Sequence, residues 1–429
     1  MSSSTNPPKK RLKSVFSSTP EPSPDSAPHH RLVAHVKPVT TLRAGMTATS
    51  GLGLFASPAG LSAGSSLASI SASFVMSVPR SAQSPVGVAV SSILSPPPPG
   101  EFVLWLDMAK GRREHLHPCH PYLASLPDEM ADVPSWSPSE RLGLKGTNLG
   151  KGSDDSSAEL EEMIARYLPP LLNATGEYRG MFEGLRGGDG IRWAKACYRS
   201  RRFPGSLLQK TGEGKYGSAK DGILLPFLDI MNHRMGAKMT WEAIDEGGLI
   251  TFVAGEDVAP NSEVFNNYGG KANEELMMCY GFAIQNNAED CYRLKLVVGG
   301  GEDGPTDLGT FDIYRADTNG RHEQFPRELW KALASLYVEE EEGVEGEEGG
   351  DDEQLEIGIE EVELLLATLT SRLRPFDATR EADEVAEKGE LGETHKESAI
   401  AMYRCGQGDV LRQSVRTLEG YRQNEVYNE

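Results

Sequence analysis

The chain has 429 residues, which at roughly 150 residues per domain predicts two or three folded units and excludes a single small motif. Its 43 basic and 63 acidic side chains give a net charge of −20, which disfavours a general nucleic-acid binder because such affinity needs Lys and Arg on phosphates. The acidic excess is local. Residues 339–363 carry 14 acidic and no basic side chains, so the remainder holds 49 acidic against 43 basic residues. We therefore expect a folded body close to neutral, and no direct binding of nucleic acid.

Apolar patterning and cysteine spacing limit the class of protein further. No apolar stretch approaches the roughly 18 residues of a membrane span, and the N-terminus lacks the apolar core of a secretory signal. We expect an intracellular protein without a membrane partner. The cysteines form no CxxC or CxC pair, which predicts reduced thiols rather than disulfides or a zinc cluster. They are Cys119, Cys197, Cys279, Cys291 and Cys405.

Residues 1–30 are rich in Ser, Pro and Lys and contain few side chains that burial could order, so we predict a disordered tail. The run from Pro7 to Lys13 has the basic density of a nuclear-import signal, and equally that of a solvated basic tail. The expected location is the nucleus, the cytoplasm or both.

The next part of the chain, residues 31–100, alternates short apolar runs with Gly, Ser and Pro, which predicts short strands joined by tight turns. Helical spacing then marks residues 101–221, for example at Leu160, Ile164 and Leu168. Within this helical portion, the Gly-, Ser- and Lys-rich stretches 145–157 and 209–221 are predicted to be surface loops.

Strand character returns in residues 222–283, with a probable strand at 249–253. A helix is predicted over 273–280, ending at Gly281, because Gly is a common residue at helix ends. The order of strands, helices and strands indicates a β-rich domain interrupted by a helical insert.

Beyond residue 300, apolar residues recur at helical spacing, which predicts an all-helical unit over 300–425. The acidic stretch 339–353 is predicted to be a disordered loop inside it. The fold class is therefore α+β. The positions that carry this spacing are Leu355, Ile359, Val362, Leu365, Leu366, Leu369, Leu373, Ala399, Ile400, Tyr403 and Leu411.

Three segments concentrate polar groups that could carry chemistry. The first runs from Asp229 to His233 in an otherwise apolar stretch, where each polar atom needs a partner. Taken alone, it is better explained as a satisfied core histidine with an Asp cap. The second runs from Glu263 to Leu276 and contains Tyr268-Gly269, and the third is Tyr280-Gly281-Phe282. A single Tyr-Gly pair indicates only a turn.

In combination, Asp-x-x-Asn-His, Tyr-Gly-x-Lys-x-Asn-Glu-Glu-Leu and Tyr-Gly-Phe resemble the SET-domain methyltransferases. The branch is the one typified by the Rubisco large-subunit lysine methyltransferase and its relatives that act on ribosomal and other non-histone proteins. Five segments follow the family's order, and the resemblance covers roughly residues 39–417. The supporting segments begin at Gly51-Leu52-Gly53-Leu54, Tyr122-Leu123, Trp193-Ala194, Ser200-Arg201-Arg202-Phe203 and Arg404-Cys405-Gly406.

The resemblance implies a role for each matching residue. Tyr268 is expected to be catalytic and, with His233, to border one ligand-binding cavity. Tyr280 and Asn267 are expected to line the channel for the target side chain. The residues implied to bind cofactor are Gly51, Gly53, Leu54, Arg201, Asp229, Asn232, His233, Tyr268 and Phe282.

The resemblance also implies S-adenosyl-L-methionine as cofactor, a protein substrate modified on lysine, a SET domain followed by a helical substrate-binding domain, and a monomer. No metal is expected. Because a phenol has a pKa of about 10, Tyr268 is expected to orient the amine rather than to accept its proton.

Two alternatives remain open at this point. One is a protein-histidine methyltransferase of the same fold. The other is a SET-fold scaffold with weak or no catalysis, because Phe55 and Ser65 stand where many relatives carry polar residues that contact the cofactor.

Two other groups of residues receive less weight. His115, His117 and His120 with Cys119 are interpreted as surface residues rather than a metal cluster, because Pro118 and Pro121 surround them and the family resemblance places a helix start here. Lys271 is expected to be a solvated side chain at the start of a helix.

Overall fold

The computed structural model describes residues 31–33, 39–40, 42–47, 51–209, 221–244, 248–301, 304–316, 322–337, 357–387 and 394–426. The predicted tail 1–30 with its basic run, most of the predicted loop 209–221 and the acidic stretch 339–353 lie outside these residues.

The strands are short in the first two thirds of the chain and long in one later hairpin, and all their pairings are antiparallel. In the described ranges they are β1 (Val39–Thr40), β2 (Arg43–Met46), β3 (Leu52–Phe55), β4 (Ser66–Ser71), β5 (Met76–Ser77), β6 (Phe203–Pro204), β7 (Gly222–Leu224), β8 (Met239–Ile244), β9 (Leu249–Ala254), β10 (Glu263–Val264), β11 (Cys291–Gly301) and β12 (Gly304–Tyr314).

The helices fall into a group between β5 and β7, a single helix between β10 and β11, and a second group after β12. In the described ranges they are α1 (Val78–Gln83), α2 (Pro85–Ile93), α3 (Gly100–Gly111), α4 (His120–Leu123), α5 (Asn148–Leu172), α6 (Asp189–Arg201), α7 (Ser206–Gln209), α8 (Asn273–Tyr280), α9 (Arg327–Ala334), α10 (Ile359–Asp377), α11 (Arg380–Glu387) and α12 (His395–Val426).

Three of the sheets join strands from both sides of the helical insert. Their strand orders are β1-β4-β9-β8, β10-β3-β2 and β5-β7-β6. Ile70 pairs with Ile250 in the first sheet, and Leu54 pairs with Val264 in the second. The β-rich domain is therefore complete only when the chain returns after the insert, and the predicted α+β class is confirmed.

The apolar side chains form three cores. The largest joins the sheets to the insert, with Ile70 and Phe252 buried beside residues of α3, α5 and α6. The second lies in the C-terminal unit around Leu365 and Leu369. A smaller third core packs Trp136 of the insert, residues of α8, and Tyr403 of α12 together, so it connects all three parts of the chain.

The predicted boundary between strands and insert, at residue 101, is wrong. Helices begin at Val78, directly after β5, and α1 and α2 pack against α3. The prolines Pro79 and Pro85 lie in the first turns of α1 and α2, where their missing N–H groups cost nothing.

The predicted loop over 145–157 is also wrong, because α5 begins at Asn148. Thr147 caps this helix, its Oγ1 accepting the Gly150 N–H at 3.1 Å, and Leu149 is fully buried in the third core. Tertiary packing here overrides the weak helix propensity of Gly and Ser.

The C-terminal unit is largely helical but differs from the predicted all-helical unit, because it begins with the β11–β12 hairpin. In β11, Tyr292, Leu294 and Leu296 are buried, while Arg293 and Lys295 between them are exposed. The buried face packs into the same core as α10 and α12, and no long apolar run was needed to build it.

Candidate active site

The candidate site forms where two loops cross. The first loop opens at Phe227, whose positive φ of 76° turns the chain into a short turn over Leu228–Ile230. This turn buries Asp229 against α6, where Arg201 Nη1 donates to the Asp229 carbonyl oxygen at 3.0 Å. The loop is therefore fixed to the insert before it reaches Asn232 and His233.

The second loop, between β10 and α8, runs beside the first. The Asn266 N–H donates to the Asn232 carbonyl at 2.8 Å, and the Arg234 N–H donates to the Asn266 carbonyl at 3.1 Å. The Tyr268 N–H donates to His233 Nδ1 at 3.1 Å. That contact assigns the neutral His233 ring a proton on Nε2, and burial lowers the pKa of His233, which favours this neutral form.

Tyr268 is held by its hydroxyl as well as by its backbone. The phenol donates to the Met231 carbonyl oxygen at 2.9 Å. Burial raises the pKa of Tyr268 to about 12, so the phenol stays protonated near neutral pH. It can hold a substrate group in place, but it cannot take up a proton as phenolate at that pH.

Four rings form an aromatic cluster around Tyr268, namely His233, Tyr268, Tyr280 and Phe282. The Tyr268 ring centre lies 5.1 Å from that of His233 and 4.7 Å from that of Tyr280. Phe282 stacks on His233 at 6.0 Å. Gly281, with φ of 76°, ends α8 between the last two rings and turns the chain so that both reach the cluster.

A cavity of about 350 Å³ opens on one side of Tyr268. Of the residues predicted from the sequence, Arg201, Asp229, Tyr268 and Tyr280 line it. Its full lining is Arg199, Ser200, Arg201, Arg202, Phe203, Pro204, Asp221, Gly222, Asp229, Met231, Trp241, Asn266, Tyr268, Lys271, Glu275, Cys279 and Tyr280. Aromatic and charged groups therefore share one cavity.

His233 does not line this cavity, contrary to the expectation that it and Tyr268 border the same one. The two residues are in direct contact, so Tyr268 separates His233 from the cavity. The predicted cofactor residues thus divide into a cavity group, Arg201 and Asp229, and a group behind Tyr268 that includes His233 and Phe282.

Gly53 and Leu54 belong to the group behind Tyr268. Asn232 Nδ2 donates to the Leu52 carbonyl at 3.3 Å and to Glu263 Oε1 at 2.7 Å. A Cβ at Gly53 would lie 2.7 Å from Glu263 Oε1 and 3.2 Å from Asn232 Nδ2, so any other residue would displace these side chains. Leu54 beside it is fully buried.

Gly51 stands apart from this contact. Its φ of 74° closes the turn between β2 and β3, and its carbonyl accepts the Thr47 N–H at 2.7 Å. A Cβ at Gly51 would meet nothing within 4 Å. The structure therefore explains Gly51 by backbone conformation, and Gly53 by close approach.

The prediction for Asn267 is wrong, because Asn266, not Asn267, lines the cavity. The Asn267 side chain accepts the Gly269 N–H at 3.0 Å and so stabilises the turn that follows Tyr268. The buried Asn266 instead places its Oδ1 at 3.4 Å from Trp241 Nε1.

Sequence reasoning missed three further residues of the site. Trp241 and Phe203 pack edge to face at 5.3 Å and line the cavity. Trp241 stands in no recognisable spacing, and Phe203 supported the resemblance through its segment but was given no role at the site. Glu263 is the first residue of the second polar segment and reaches Asn232 from β10, but no role was assigned to it from the sequence. Pairing of β10 with β3, which no local pattern reveals, brings it to the site.

Phe55 and Ser65, the two departures from the family pattern, have local roles. A Cβ at Gly45 would lie 3.3 Å from the Phe55 ring, so this ring packs on the neighbouring strand β2. The Ser65 carbonyl accepts the Ala254 N–H at 2.9 Å beside the first sheet. Neither position offers a charged side chain to a ligand.

The histidine group is only partly on the surface. His115 is exposed, whereas His117 Nε2 lies 3.4 Å from the buried Asp107 and His120 Nδ1 lies 3.1 Å from the Gly111 carbonyl. Within the residues that the structure describes, no three His, Cys, Asp or Glu side chains form a potential metal-binding group.

The sequence predicts a solvated side chain at Lys271, but the structure gives this side chain a partner. It forms an ion pair with Glu275 one turn into α8, and both residues line the cavity. In the part of the chain that the structure describes, no helix is both long and apolar enough for a membrane crossing.

Comparison with solved structures identifies the fold. The SET domain of LSMT bound to lysine and AdoHcy superposes with a TM-score of 0.73 at 19% identity, over 94% of this chain and 93% of that one. Rubisco LSMT bound to sinefungin and monomethyllysine gives a TM-score of 0.71 at 20% identity, over 92% and 91% of the two chains. The chain has the SET-domain fold. The resemblance inferred from the sequence is confirmed.

Curated relatives of this SET-fold chain are lysine methyltransferases. It is 34% identical over 107 residues to ribosomal lysine N-methyltransferase set10 of Schizosaccharomyces pombe, covering 25% of this chain and 18% of that one. It is 26% identical over 206 residues to ribosomal lysine N-methyltransferase 1 of Saccharomyces cerevisiae, covering 41% and 34%. It is 25% identical over 285 residues to N-lysine methyltransferase SETD6 of Rattus norvegicus, covering 64% and 54%.

The chain thus spans less than two thirds of the length of each of these three relatives. No protein-family model matches the chain.

Proposed function

We propose that this protein is an S-adenosyl-L-methionine-dependent protein-lysine N-methyltransferase. The observation that carries the proposal is the cavity of about 350 Å³, in which the Tyr268 phenol, fixed at both its backbone and its hydroxyl, meets aromatic walls and the Asp229 carboxylate. The SET-domain fold and the lysine methyltransferases among the curated relatives support it.

The residues behind Tyr268 fit a cofactor of this kind. Gly53 keeps the backbone of β3 open beside the Asn232 amide and the Glu263 carboxylate, which offer a donor and an acceptor for polar groups. The Phe282 and His233 rings offer apolar faces for an adenine. When bound, the cofactor supplies an electrophilic methyl group on a sulfonium.

The cavity side fits an alkylammonium side chain. Phe203, Trp241 and Tyr280 present rings that can pack around methylene groups, and Asp229 provides the negative charge that attracts the incoming ammonium. Because a free lysine has a pKa of about 10.4, it must lose a proton before it can react, and burial among these rings favours that loss.

Tyr268 then orients the amine. Its hydroxyl donates to Met231 and retains lone pairs that can accept a hydrogen bond from the substrate nitrogen. Since its pKa is raised, the proton released by the lysine goes to water rather than to the phenol. The contribution of the protein is mainly orientation and preorganised polarity.

The proposed substrate is a non-histone protein, such as a ribosomal protein. Two relatives whose names specify ribosomal lysine methylation support this choice. We further propose that the chain acts as a monomer, as the family resemblance implies, and that it acts in the nucleus, the cytoplasm or both, on the basis of the basic run from Pro7 to Lys13.

The experiment incubates the purified chain with a cell lysate and isotopically labelled S-adenosyl-L-methionine, then locates the label by mass spectrometry. Label on a lysine, lost with the Tyr268→Phe variant, is expected. Label on a histidine would replace lysine with histidine as target. Calorimetry with the same cofactor provides the second readout, and no heat of binding at high micromolar concentration would favour a SET-fold scaffold.

A further inference from the structure

A buried residue of the helical insert contacts Asp229, which lines the cavity. Tyr122, in the short helix α4, is 1% exposed and does not line the cavity. Its hydroxyl donates to Asp229 Oδ2 at 2.7 Å, across 107 residues of sequence. Burial raises the pKa of Tyr122 well above its ordinary value, so this phenol remains a hydrogen-bond donor.

The two oxygens of the Asp229 carboxylate differ in their hydrogen-bond partners. Oδ2 receives the Tyr122 hydroxyl and lies 3.5 Å from Arg201 Nη1, whereas Oδ1 is buried without a partner. An unsatisfied buried acceptor is costly, and Asp229 is one of the residues that line the cavity. A donor that enters the cavity would remove this cost.

We propose that Tyr122 is a positioning residue, which fixes the Asp229 carboxylate through Oδ2 and keeps Oδ1 free for the substrate ammonium. The inference rests on the proposed lysine methyltransferase function. Tyr122, which does not line the cavity, occupies one carboxylate oxygen and so leaves the other to a ligand. Its hydrogen bond also stabilises the charged form of Asp229.

Other groups face Asp229 and bear on its titration. Burial raises the pKa of Asp229, opposed first by Arg201 and then by the Tyr122 hydrogen bond. Cys197 from α6 and Tyr268 from the second loop also face it, and burial raises the pKa of both, so they stay uncharged near neutral pH. Loss of the Tyr122 hydroxyl should therefore raise the pKa of Asp229 further.

The test compares Tyr122→Phe with Tyr403→Phe. Tyr403 is the matched control, because it is also fully buried and donates to a carboxylate, Glu274 Oε2 at 3.2 Å, away from the cavity. For Tyr122→Phe we expect kcat/KM for the protein substrate to fall roughly 10- to 100-fold, the effect of one hydrogen bond to a charged group. Its acid limb should move to higher pH, while affinity for S-adenosyl-L-methionine is retained.

Tyr403→Phe should lose thermal stability without moving the acid limb. Unchanged kcat/KM and an unmoved acid limb in folded Tyr122→Phe would overturn the inference, and so would a loss of cofactor affinity equal to the loss of activity. A double-mutant cycle adds a second check, since Tyr122→Phe should have no further effect in an Asp229→Asn background.

Asp229→Asn also carries the test if Tyr122→Phe fails to fold. A fall in kcat/KM with cofactor affinity retained is expected, whereas full activity would overturn the inference, because a carboxylate without a role needs no positioning. If the wild-type chain transfers no methyl group to any protein, the proposed function fails and the role of Tyr122 falls with it. An active wild type with an unaffected Tyr122→Phe variant overturns only the role of Tyr122.

Discussion

At the scale of single residues, Tyr268 connects the two halves of the candidate site. Its backbone contacts His233, and its hydroxyl contacts Met231 while its ring lines the cavity. Removing the hydroxyl leaves the ring in place and takes away only the group that orients the amine.

We expect Tyr268→Phe to lower kcat by roughly 30- to 1000-fold, equivalent to about 2–4 kcal/mol of barrier, because one preorganised polar group is lost. Single-turnover methylation of the identified substrate measures it, with calorimetry to confirm that cofactor still binds. Tyr280→Phe removes a hydroxyl from the same cavity wall and should cost much less. Equal losses in the two variants would contradict a special role for Tyr268.

Gly53 and Gly51 provide a second residue-scale prediction. Gly53→Ala should weaken S-adenosyl-L-methionine binding, because the new methyl would push Glu263 and Asn232 apart. Gly51→Ala introduces strain at positive φ, about 1–2 kcal/mol, but meets open space and should leave cofactor affinity unchanged. Isothermal calorimetry on both variants checks this, and a similar loss of affinity at Gly51 would show that its backbone also touches the cofactor.

The residues at the site were predicted from sequence to a useful but incomplete degree. Asp229 and Tyr268 were predicted because their segments, in combination and in order, resemble the SET-domain pattern, whereas each segment alone indicates no site. Asn266 was missed in favour of Asn267, since adjacent residues of a loop face different sides and composition cannot tell which. Tyr122 was noted only as part of a helical segment, because its contact with Asp229 spans 107 residues.

At the scale of elements, local rules succeeded where they agreed with packing. The helix predicted over 273–280 is α8, which ends at Gly281 as expected, and the strand predicted over 249–253 is β9. The hairpin β11–β12 was missed, although the alternation in β11 was visible. The start of α5 was missed because its glycines indicate a loop by composition. Within the fold, one of these glycines, Gly150, is needed because neighbouring chain comes close.

Two glycines of α5 distinguish the effect of helix propensity from that of close packing. Gly152→Ala should stabilise the protein by roughly 0.5–1 kcal/mol, because a Cβ there meets nothing within 4 Å and Ala is the better helix former. Gly150→Ala should instead destabilise it by about 1–3 kcal/mol, because its Cβ would collide with the Leu144 carbonyl oxygen. Urea unfolding of the two variants decides, and stabilisation by both would mean that the start of α5 is free to move away.

At the scale of the whole molecule, a buried carboxylate connects the SET fold to the C-terminal helices. Asp290 Oδ1 accepts the Asn273 N–H of α8 at 3.0 Å, and its Oδ2 lies so close to Gly406 of α12 that no Cβ would fit there. Burial raises the pKa of Asp290 to about 7, opposed by the Asn273 hydrogen bond. The stability of this junction between the SET fold and the C-terminal helices therefore depends on the protonation state of Asp290.

This junction predicts a pH dependence of stability. Because the pKa of Asp290 is higher in the folded chain than in the unfolded one, the native state binds more protons between about pH 4 and 7, and stability falls as pH rises through this window. The loss attributable to Asp290 is on the order of 4 kcal/mol. Urea unfolding at several pH values should show this slope in the wild type and a shallower one in Asp290→Asn, where only the other buried carboxyl groups, Asp132, Asp229 and Glu274, still contribute. Parallel profiles for the two proteins would refute it.

The pairing of strands across the insert determines when the first sheet can form during synthesis. Ser71, the last residue of β4, cannot pair until its partner strand β9, which begins at Leu249, has been synthesised. At about 5–20 residues per second, the ribosome adds the intervening chain in on the order of 10–40 seconds. Throughout that interval the nascent chain exposes strand edges that nothing native can yet cover. We therefore expect chaperones to bind the emerging polypeptide during this interval, and fragments that stop before β9 to aggregate rather than fold.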